Sequence, residues 1–528
     1  MTIDWSLPYL SRRTPLLARN ALATSQPLAA QAGLSMLLAG GNAVDAALAA
    51  AITLTVVEPV SNGIGSDLFA QVWDGRELIG LNASGRAPLG WKPGRFAGRA
   101  AMPSEGWDSV TVPGAVSAWV ALAARFGKLP FADLFAPAIR YAEQGFAVSP
   151  TVALQWERQI PRLAGVAGFA QAFMPRGRAP CAGEVFACPP QARTLRLIAE
   201  SRGDAFYRGE LAQTMVAHGG ANGGVMSLED LDRHRVDWVT PISHSYRGHR
   251  VHEIPPNGQG IAALMALGML EHHDLAGMPV DGADSMHLQI EAMKLAFADV
   301  YRHVSDPDCM SLRPADLLAP EYLRQRAAMI DSRSAGQFAY GTPPRSGTVY
   351  LTAADASGMM VSLIQSNYMG FGSGVVVPGT GISLQNRGAG FTLEEGHPNR
   401  VGPGKRPFHT IIPAFVTRDD KPLMSFGVMG GDMQPQGHAQ IMVRLVDYGQ
   451  NPQAACDAPR WKVQNDGTIS LESEVSDRAR AELAARGHRL SDIGTSYMDF
   501  GAGQFIYVME DGYFAASDPR RDGQAVGF

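Results

Sequence analysis

The chain has 528 residues, of which 46% are hydrophobic and 18% charged, and its net charge is −5. This length allows two to four domains or one large layered α/β unit, and either arrangement buries a substantial core. The mildly acidic balance and the absence of a Lys/Arg-rich run argue against a nucleic-acid or anionic-membrane partner, whereas small polar or acidic substrates stay open.

The cysteine content and the apolar runs indicate the compartment. Four cysteines are too few and too scattered for a disulfide framework, so reduced thiols are expected: Cys181, Cys188, Cys309 and Cys456. The first twenty residues lack the uninterrupted apolar run of a secretory signal. The longest mainly apolar run, residues 46–57, is shorter than the roughly 20 residues of a membrane helix. We therefore expect a cytoplasmic enzyme with no membrane segment.

Two helices are predicted near the start of the chain. Capping residues and an early proline at residues 24–27 begin the first helix, and the glycine pair at 40–41 ends it. Asn42 then caps a second helix, with Asp45 as the acidic partner of its first-turn amides. That helix is apolar on every side through Val57, so we expect it to be buried.

A β-hairpin is predicted next, from residues 68–73 and 77–81, and Arg86 follows it in a loop. Most loop arginines are solvated, but the guanidinium fork of Arg86 would suit a carboxylate. Residues 112–277 are predicted to be mainly helical. Residues 246–254 have the pattern of one strand, and the histidines in and beside it fit no standard zinc spacing, so no metal is expected.

The clearest amphipathic helix is predicted to begin at Asp284 and Ser285. Its apolar residues recur at steps of three and four through Val300, which indicates one face packed on the core. Three charged residues lie off that stripe and are predicted to face solvent: Glu291, Lys294 and Asp299.

A loop rich in glycine and proline, residues 332–347, changes abruptly into a strand that begins at Thr348. Strands 348–354 and 359–365 are predicted to form a hairpin whose turn is centred between residues 356 and 357. This register places Thr348 opposite Gln365 and brings Ser366 beside Thr348.

A threonine preceded by glycine at such a junction is compatible with an N-terminal nucleophile, in which the hydroxyl attacks and the freed α-amino group takes the proton. That amine has a reference pKa of about 7.7–8.0, suited to a base near neutral pH. Threonines also begin many strands without any catalytic role.

Two glycine-rich stretches follow. Residues 370–374 lack a phosphate-binding loop pattern, so no nucleotide cofactor is expected. Gly430 and Gly431 follow a predicted strand, and successive glycine amides can point at one position, as an oxyanion requires; a plain turn is the alternative. A last hairpin is predicted over residues 504–515, and no linker or repeat divides the chain.

The order of these motifs resembles the γ-glutamyltranspeptidase family. The matching stretches are residues 40–47, Arg86, and residues 112–114, 347–348, 370–374, 403–407 and 430–431. The resemblance implies an α+β fold, the four-layer αββα sandwich of N-terminal-nucleophile hydrolases, and a precursor that cuts itself between Gly347 and Thr348. Residues 1–347 would be the large subunit and residues 348–528 the small subunit of one intertwined structural domain.

The resemblance also implies roles for individual residues. Thr348 would be both the self-processing residue and the nucleophile of the mature enzyme. Gly430 and Gly431 would supply the oxyanion-hole amides, Arg86 would grip the substrate's α-carboxylate, and Ser366 would support the nucleophile.

The departures from the family pattern bear on the substrate. Arg387 and Gly390 stand where the family holds the substrate's α-amino group with acidic residues. An ammonium 4 Å from Arg387 would be repelled by about 4 kcal/mol at an effective dielectric near 20. Tyr368, His409 and Thr410 replace an asparagine and two serines at further substrate-binding positions.

These changes favour an acid without an α-amine, bound by Arg86 and Arg387. Among family members the chain looks most like oxamate amidohydrolases, which implies cleavage of oxamate to oxalate and ammonia in purine (allantoin) catabolism. A γ-glutamyltransferase or glutathione hydrolase, a glutaryl-cephalosporin-type acylase and an unprocessed, non-catalytic binding protein are the alternatives. No cofactor is implied. The expected partners are a small-molecule amide and the two cleavage fragments themselves, with a higher homo-oligomer left open.

Overall fold

The computed structural model describes residues 13–166, 168–336, 347–491 and 497–528. Within these ranges two seven-stranded sheets lie face to face, and helices cover both outer faces. This is the predicted four-layer αββα sandwich. Residues 337–346, which are most of the loop predicted over residues 332–347, and the N-terminal residues 1–12 lie outside the described ranges.

The strands are given first, in chain order. They are β1 (Leu16–Ala18), β2 (Ala21–Thr24), β3 (Asp67–Trp73), β4 (Leu78–Asn82), β5 (Phe146–Ala147), β6 (Val185–Phe186), β7 (Asp237–Val239), β8 (Ile242–Tyr246), β9 (His249–Glu253), β10 (Gly347–Ala354), β11 (Met360–Tyr368), β12 (Val376–Val377), β13 (Ile382–Ser383), β14 (Ala414–Arg418), β15 (Lys421–Met429), β16 (Trp461–Val463), β17 (Ile469–Leu471), β18 (Leu490–Ser491), β19 (Ala502–Met509), β20 (Gly512–Ser517) and β21 (Gln524–Gly527).

The α-helices follow the same order. They are α1 (Pro27–Leu38), α2 (Ala43–Val57), α3 (Ala115–Phe126), α4 (Ala136–Gln144), α5 (Pro150–Glu157), α6 (Ile160–Leu163), α7 (Phe169–Phe173), α8 (Pro189–Ser201), α9 (Asp204–Tyr207), α10 (Glu210–Ala221), α11 (Leu228–Asp232), α12 (Ile261–Leu270), α13 (Ala283–His303), α14 (Pro314–Leu317), α15 (Pro320–Ala327), α16 (Met433–Val446), α17 (Pro452–Asp457) and α18 (Asp477–Ala485). Across the described ranges, none of these helices has both the length and the apolar character needed to cross a bilayer.

Both sheets draw strands from each side of residue 347. The first sheet has the order β21-β2-β10-β11-β3-β4-β7, and the second has the order β1-β20-β19-β15-β14-β9-β8. Helices α1 and α2 lie on the outer face of the first sheet, and α12 and α16 lie on the outer face of the second. The segments before and after the predicted cleavage point therefore interleave in a shared core.

The start of the chain folds as its sequence predicts. Helix α1 begins at Pro27, and the Gln26 side chain accepts hydrogen bonds from the first-turn amides. Asn42 and Asp45 form the capping box of α2. Every side chain of α2 is buried, because the helix is covered by the sheet on one side and by other helices on the other. The prediction of a buried helix is confirmed.

The prediction of one strand over residues 246–254 is wrong. The chain forms the hairpin β8–β9 instead, which turns at Arg247 and Gly248 with φ angles of 46° and 81°. A two-residue turn with positive φ at both positions matches the twist of the strands it joins. An Arg-Gly pair is an uncommon sequence for this turn. It therefore gave no turn signal, and the β-type pattern of residues 246–254 was interpreted as one strand.

The prediction that Glu291, Lys294 and Asp299 face solvent is also wrong, since their exposures are 0%, 5% and 8%. Lys294 Nζ lies 2.7 Å from Glu291 Oε1 and 3.4 Å from Nδ1 of His488. Glu291 Oε2 accepts a hydrogen bond from the amide of Gly336. Segments near Gly336 and His488 thus cover the charged side of α13, and the charged residues of the helix form hydrogen bonds with these segments.

This buried network leads to a stability prediction. Lys294→Met removes the counter-charge of a buried carboxylate, so it should destabilise the fold by roughly 3–5 kcal/mol. Urea unfolding measures the change, with Arg313→Met at an exposed ion pair as the control that should leave the midpoint unchanged. Equal free energies of unfolding for the two variants would show that the buried network does not stabilise the fold.

Candidate active site

Thr348 and Ser366 lie side by side in the first sheet. Thr348 follows the start of β10, and its Oγ1 is 3.2 Å from Ser366 Oγ on β11. The predicted proximity of the two hydroxyls is therefore confirmed. The predicted register is wrong by one residue, because the turn centres on Ser357 and Val349 pairs with Gln365.

These side chains point into the space between the two sheets. Tyr350 and Ile364, which share their side of β10 and β11, pack against residues of the second sheet. Successive strand residues alternate between faces, so Thr348 and Ser366 lie on that inner face as well. Thr348 is 2% exposed and Ser366 is fully buried.

Asp67 extends this group onto β3, where it pairs in register with Ser366. Its Oδ1 accepts hydrogen bonds from the amides of Gly85 and Gly114, and its Oδ2 lies 3.1 Å from His409 Nε2. Burial raises the pKa of Asp67 to about 7, against the opposing charge of Arg387. Sequence reasoning missed Asp67, whose only signal was an acid at the start of a strand.

His409 is a neutral donor in this arrangement. Its Nδ1 accepts the amide hydrogen of Ile411, so Nε2 carries the ring proton and donates to Asp67. Burial, together with the charge of Arg387, holds the pKa of His409 well below its usual value. The one ring proton of His409 is therefore donated to Asp67, another residue of the site.

Gly430 and Gly431 connect β15 to α16 with φ angles of 119° and 63°, a region that favours glycine. Within the described residues, neither amide N–H donates to another protein group. The following helix begins at Met433, and its N-terminus adds positive potential at this point. Two adjacent donors are thus available to an oxygen that becomes negative.

Asp432 follows the glycine pair and was also missed by sequence reasoning. Burial raises its pKa to about 6, and its Oδ1 has no hydrogen-bond partner within the described residues. Its charge, together with burial, raises the pKa of Tyr368.

Arg387 is the buried cation of the site. It is 1% exposed, and its Nη1 donates to Thr410 Oγ1 at 2.8 Å. Its guanidinium carbon lies 4.7 Å from the centre of the Tyr368 ring. Nε and Nη2 have no hydrogen-bond partner among the described residues. Burial lowers the pKa of Arg387 to about 10, so the side chain remains cationic at neutral pH.

Arg86 forms no hydrogen bond with Thr348 or Arg387 within the described residues, and its predicted role in substrate binding stays a prediction. Its Nη1 lies 3.0 Å from Asp306 Oδ2 and donates to the carbonyl of Gly404. It lines a separate depression of about 380 Å³ together with Asp308 and Arg406. The buried Asp306 carboxylate holds the Arg86 charge at this second position.

An open cavity of about 830 Å³ adjoins the site, with Tyr368, Gly390 and Phe408 among its lining residues. A Cβ atom on Gly390 would lie 2.6 Å from the carbonyl oxygen of Phe408. An acidic side chain therefore cannot occupy this position unless the backbone moves.

One cluster elsewhere has ligand-type atoms within 4.8 Å of one another: His287, Glu291 and His488. The Lys294 ammonium lies 2.7 Å from Glu291 Oε1, so a metal ion there would meet a fixed positive charge. The donor set does not fit a cation while Lys294 holds that place.

The Thr348–Ser366 contact can be tested by Ser366→Ala. We expect self-cleavage and turnover to slow about 10–100-fold, because a hydrogen bond to a group that gains charge contributes roughly 1.5–3 kcal/mol. The conversion of one gel band into two, followed over time, gives the rate. Ser366→Thr keeps the hydroxyl and should restore most of it, whereas unchanged rates in Ser366→Ala would exclude the contact from the reaction.

Stacked antiparallel sheets between helical layers, with a threonine as the second residue of a central strand on the inner face, are the features of the class of N-terminal-nucleophile hydrolases. The family model for gamma-glutamyltranspeptidase matches residues 29–528, and the chain belongs to this family. Fold and family together make the protein a hydrolase that acts on amide bonds.

Three similar proteins illustrate the range of the family. The chain is 38% identical over 510 residues to the Glutathione hydrolase-like YwrD proenzyme of Bacillus subtilis (strain 168), covering 95% of this chain and 97% of the relative. It is 36% identical over 515 residues to the Oxamate amidohydrolase proenzyme of Klebsiella pneumoniae subsp. pneumoniae, with the same coverage. The crystal structure of cephalosporin acylase from Bacillus halodurans matches with a TM-score of 0.94 and 49% identity, covering 100% and 99% of the two chains.

Proposed function

We propose that the protein is a self-cleaving amidohydrolase that uses Thr348 to hydrolyse the amide of a small carboxylate-bearing substrate, with oxamate as the first candidate. The observation that carries this proposal is the buried Arg387 guanidinium, which has two nitrogens without a hydrogen-bond partner within the described residues. A planar fork of two donors in a buried site is suited to a carboxylate.

The first stage frees the nucleophile. Thr348 Oγ1 attacks the carbonyl carbon of Gly347, the peptide nitrogen leaves to become the α-amine of Thr348, and an ester joins the two residues. Water then hydrolyses the ester and gives fragments of 347 and 181 residues (528 − 347 = 181). The proenzyme names of both curated relatives support this stage.

The second stage is turnover. The new amine of Thr348 takes the hydroxyl proton as Oγ1 attacks the substrate amide, and it later gives that proton to the leaving nitrogen. The amides of Gly430 and Gly431 stabilise the oxyanion, and water clears the acyl-enzyme. Loss of one such donor typically lowers turnover about 10²–10³-fold.

The charges near Arg387 favour an acyl group without an α-amine. A γ-glutamyl substrate would bring an ammonium toward a buried cation, and the backbone contact at Gly390 leaves no room for an acid to receive it. Oxamate satisfies this constraint because its carboxylate adjoins the reacting amide directly and carries no amine.

A second candidate is an acylase that removes a dicarboxylic acyl group from a larger amine. The adjoining cavity of about 830 Å³ favours it, because that volume lies within the range of drug-sized ligand sites and far exceeds what ammonia needs. The similarity to the cephalosporin acylase supports the same candidate.

A substrate panel tests the proposal. The processed enzyme is assayed with oxamate, succinamate, glutaramate, glutaryl anilide and γ-glutamyl anilide, and released ammonia or aniline is measured. We expect the highest kcat/KM for oxamate, whereas the acylase candidate predicts the highest kcat/KM for glutaryl anilide. Thr348→Ala serves as the blank. A preference for γ-glutamyl anilide would overturn the assignment of Arg387.

A further inference from the structure

Two hydrogen bonds and one strand pairing connect the surroundings of Arg387 with those of the nucleophile. Arg387 Nη1 donates to Thr410 Oγ1 at 2.8 Å, and the preceding residue, His409, donates from Nε2 to Asp67 Oδ2 at 3.1 Å. Asp67 in turn lies opposite Ser366, the neighbour of the nucleophile. The buried Asp67 carboxylate therefore contacts the segment that carries the anion site and lies on the strand next to Ser366.

We propose that Asp67 is a positioning residue that tunes affinity for acidic substrates. It is the counter-charge of Arg387 in the empty site, and it takes up a proton when a substrate carboxylate binds there. This inference rests on the proposed function, because it takes Arg387 as the carboxylate site.

The charge balance explains the proton uptake. The negative charge of Asp67 favours the cationic form of Arg387, and the positive charge of Arg387 favours the anionic form of Asp67. A substrate carboxylate adds a second anion beside the same cation. Two like charges in a buried site raise each other's proton affinity, so the second anion favours protonation of Asp67.

The pH dependence follows from the pKa of Asp67, which burial raises to about 7. Below this pH the Asp67 carboxyl is neutral, and the Arg387 charge is fully available to the substrate. Above it Asp67 is anionic and partly cancels that charge. Binding of a carboxylate should therefore weaken as the pH rises through about 7.

The other groups around Asp67 keep one charge state across this range. His409 stays neutral, since its pKa is well below the usual value. The charge of Arg406 lowers the pKa of both His409 and Asp67. The pKa of Tyr207 is raised by burial and by Asp67, so its phenol stays protonated.

Two nearby groups change their charge at a pH different from that of Asp67. Asp432, which acts on Tyr368, has a pKa raised to about 6 by burial, so most of its titration precedes that of Asp67. The freed amine of Thr348 has a reference pKa of about 7.7–8.0 and is present in every processed variant. The difference between wild type and an Asp67 variant therefore isolates Asp67.

The test measures glutarate binding to the processed enzyme by calorimetry, from about pH 6 to about pH 8, in two buffers of different ionisation enthalpy. For wild type we expect about a tenfold loss of affinity across this range and proton uptake on binding near pH 7. Asp67→Asn keeps an oxygen for the amides of Gly85 and Gly114. It should bind glutarate tightly at every pH, with the uptake reduced. Identical profiles in the two enzymes would overturn the inference.

A second measurement needs no variant. The infrared difference spectrum of wild type on binding ¹³C-labelled glutarate should show a newly protonated buried carboxyl, which the Thr348 amine cannot produce. Its absence would overturn the inference even if Asp67→Asn fails to fold or to process itself.

Two further variants separate the possible failures. Glu58→Gln is the matched control, because Glu58 is another buried carboxyl with a pKa raised to about 7, bonded to Ser25; it should keep the wild-type profile. Arg387→Met should lose glutarate binding. Wild-type affinity for glutarate in Arg387→Met would overturn the proposed function itself. If Arg387→Met loses glutarate binding but Asp67→Asn keeps the wild-type pH dependence of binding, only the role of Asp67 is overturned.

Discussion

Thr348→Ala is expected to remain one chain of 528 residues on a denaturing gel, whereas the wild type is expected to separate into fragments of 347 and 181 residues (528 − 347 = 181). The variant lacks the oxygen that attacks the Gly347 carbonyl, so neither the ester nor the free α-amine can form. Both stages of the proposed mechanism are lost together. We expect turnover to fall about 10⁶-fold, the order seen when the nucleophile of a hydrolytic triad is removed.

Two controls make this result specific. Thr348→Ser keeps a hydroxyl and should still cleave, with mass spectrometry showing a small fragment that begins at residue 348. Thr352→Ala removes another buried hydroxyl from the same strand, one that bonds Ser425, and it should cleave like the wild type. An uncut wild type, or a cut at another bond, would favour the non-catalytic binding protein instead.

The sequence predicts the parts of this protein that depend on local pattern. Helix α2 is apolar on every side and carries its own capping box, so its limits and its burial are both evident from the sequence. The hairpin β10–β11 has a four-residue turn signal between two β-type runs, which was enough to bring Ser366 beside Thr348. The family resemblance then supplied the four-layer arrangement.

The parts that could not be predicted depend on contacts between distant segments. Asp67 accepts a hydrogen bond from His409, which lies 342 residues away in the chain. The charged side of α13 is buried because segments near Gly336 and His488 cover it, and no periodicity within the helix records that. The ion pair of Arg86 with Asp306, 220 residues further on, could likewise not be predicted from the local sequence around Arg86.

Arg387→Met should have opposite effects on stability and on activity. The variant removes the proposed carboxylate clamp, and loss of one partner of a buried charge pair costs about 2–5 kcal/mol, so KM for oxamate should rise about 10²–10³-fold. The same change removes a buried cation with two nitrogens unpartnered within the described residues. Below about pH 7 the Asp67 carboxyl is neutral and loses no counter-charge, while the buried, partly unpartnered cation costs desolvation free energy that an apolar side chain does not. Unfolding is measured in that pH range. We therefore expect an unchanged or higher unfolding midpoint.

Arg460→Met provides the matched control, because Arg460 is equally buried but its Nη2 lies 2.7 Å from Asp518 Oδ2. Arg460→Met removes one of the positive charges that balance the buried Asp518 carboxylate. The variant should therefore be less stable by about 3–5 kcal/mol, with an unchanged KM. Urea unfolding and initial rates with oxamate measure both quantities for each variant. A fall in stability without a change of KM in Arg387→Met would make Arg387 a structural residue. Stability retained while KM rises would instead mark a buried cation whose two unpartnered nitrogens serve the substrate carboxylate and not the fold.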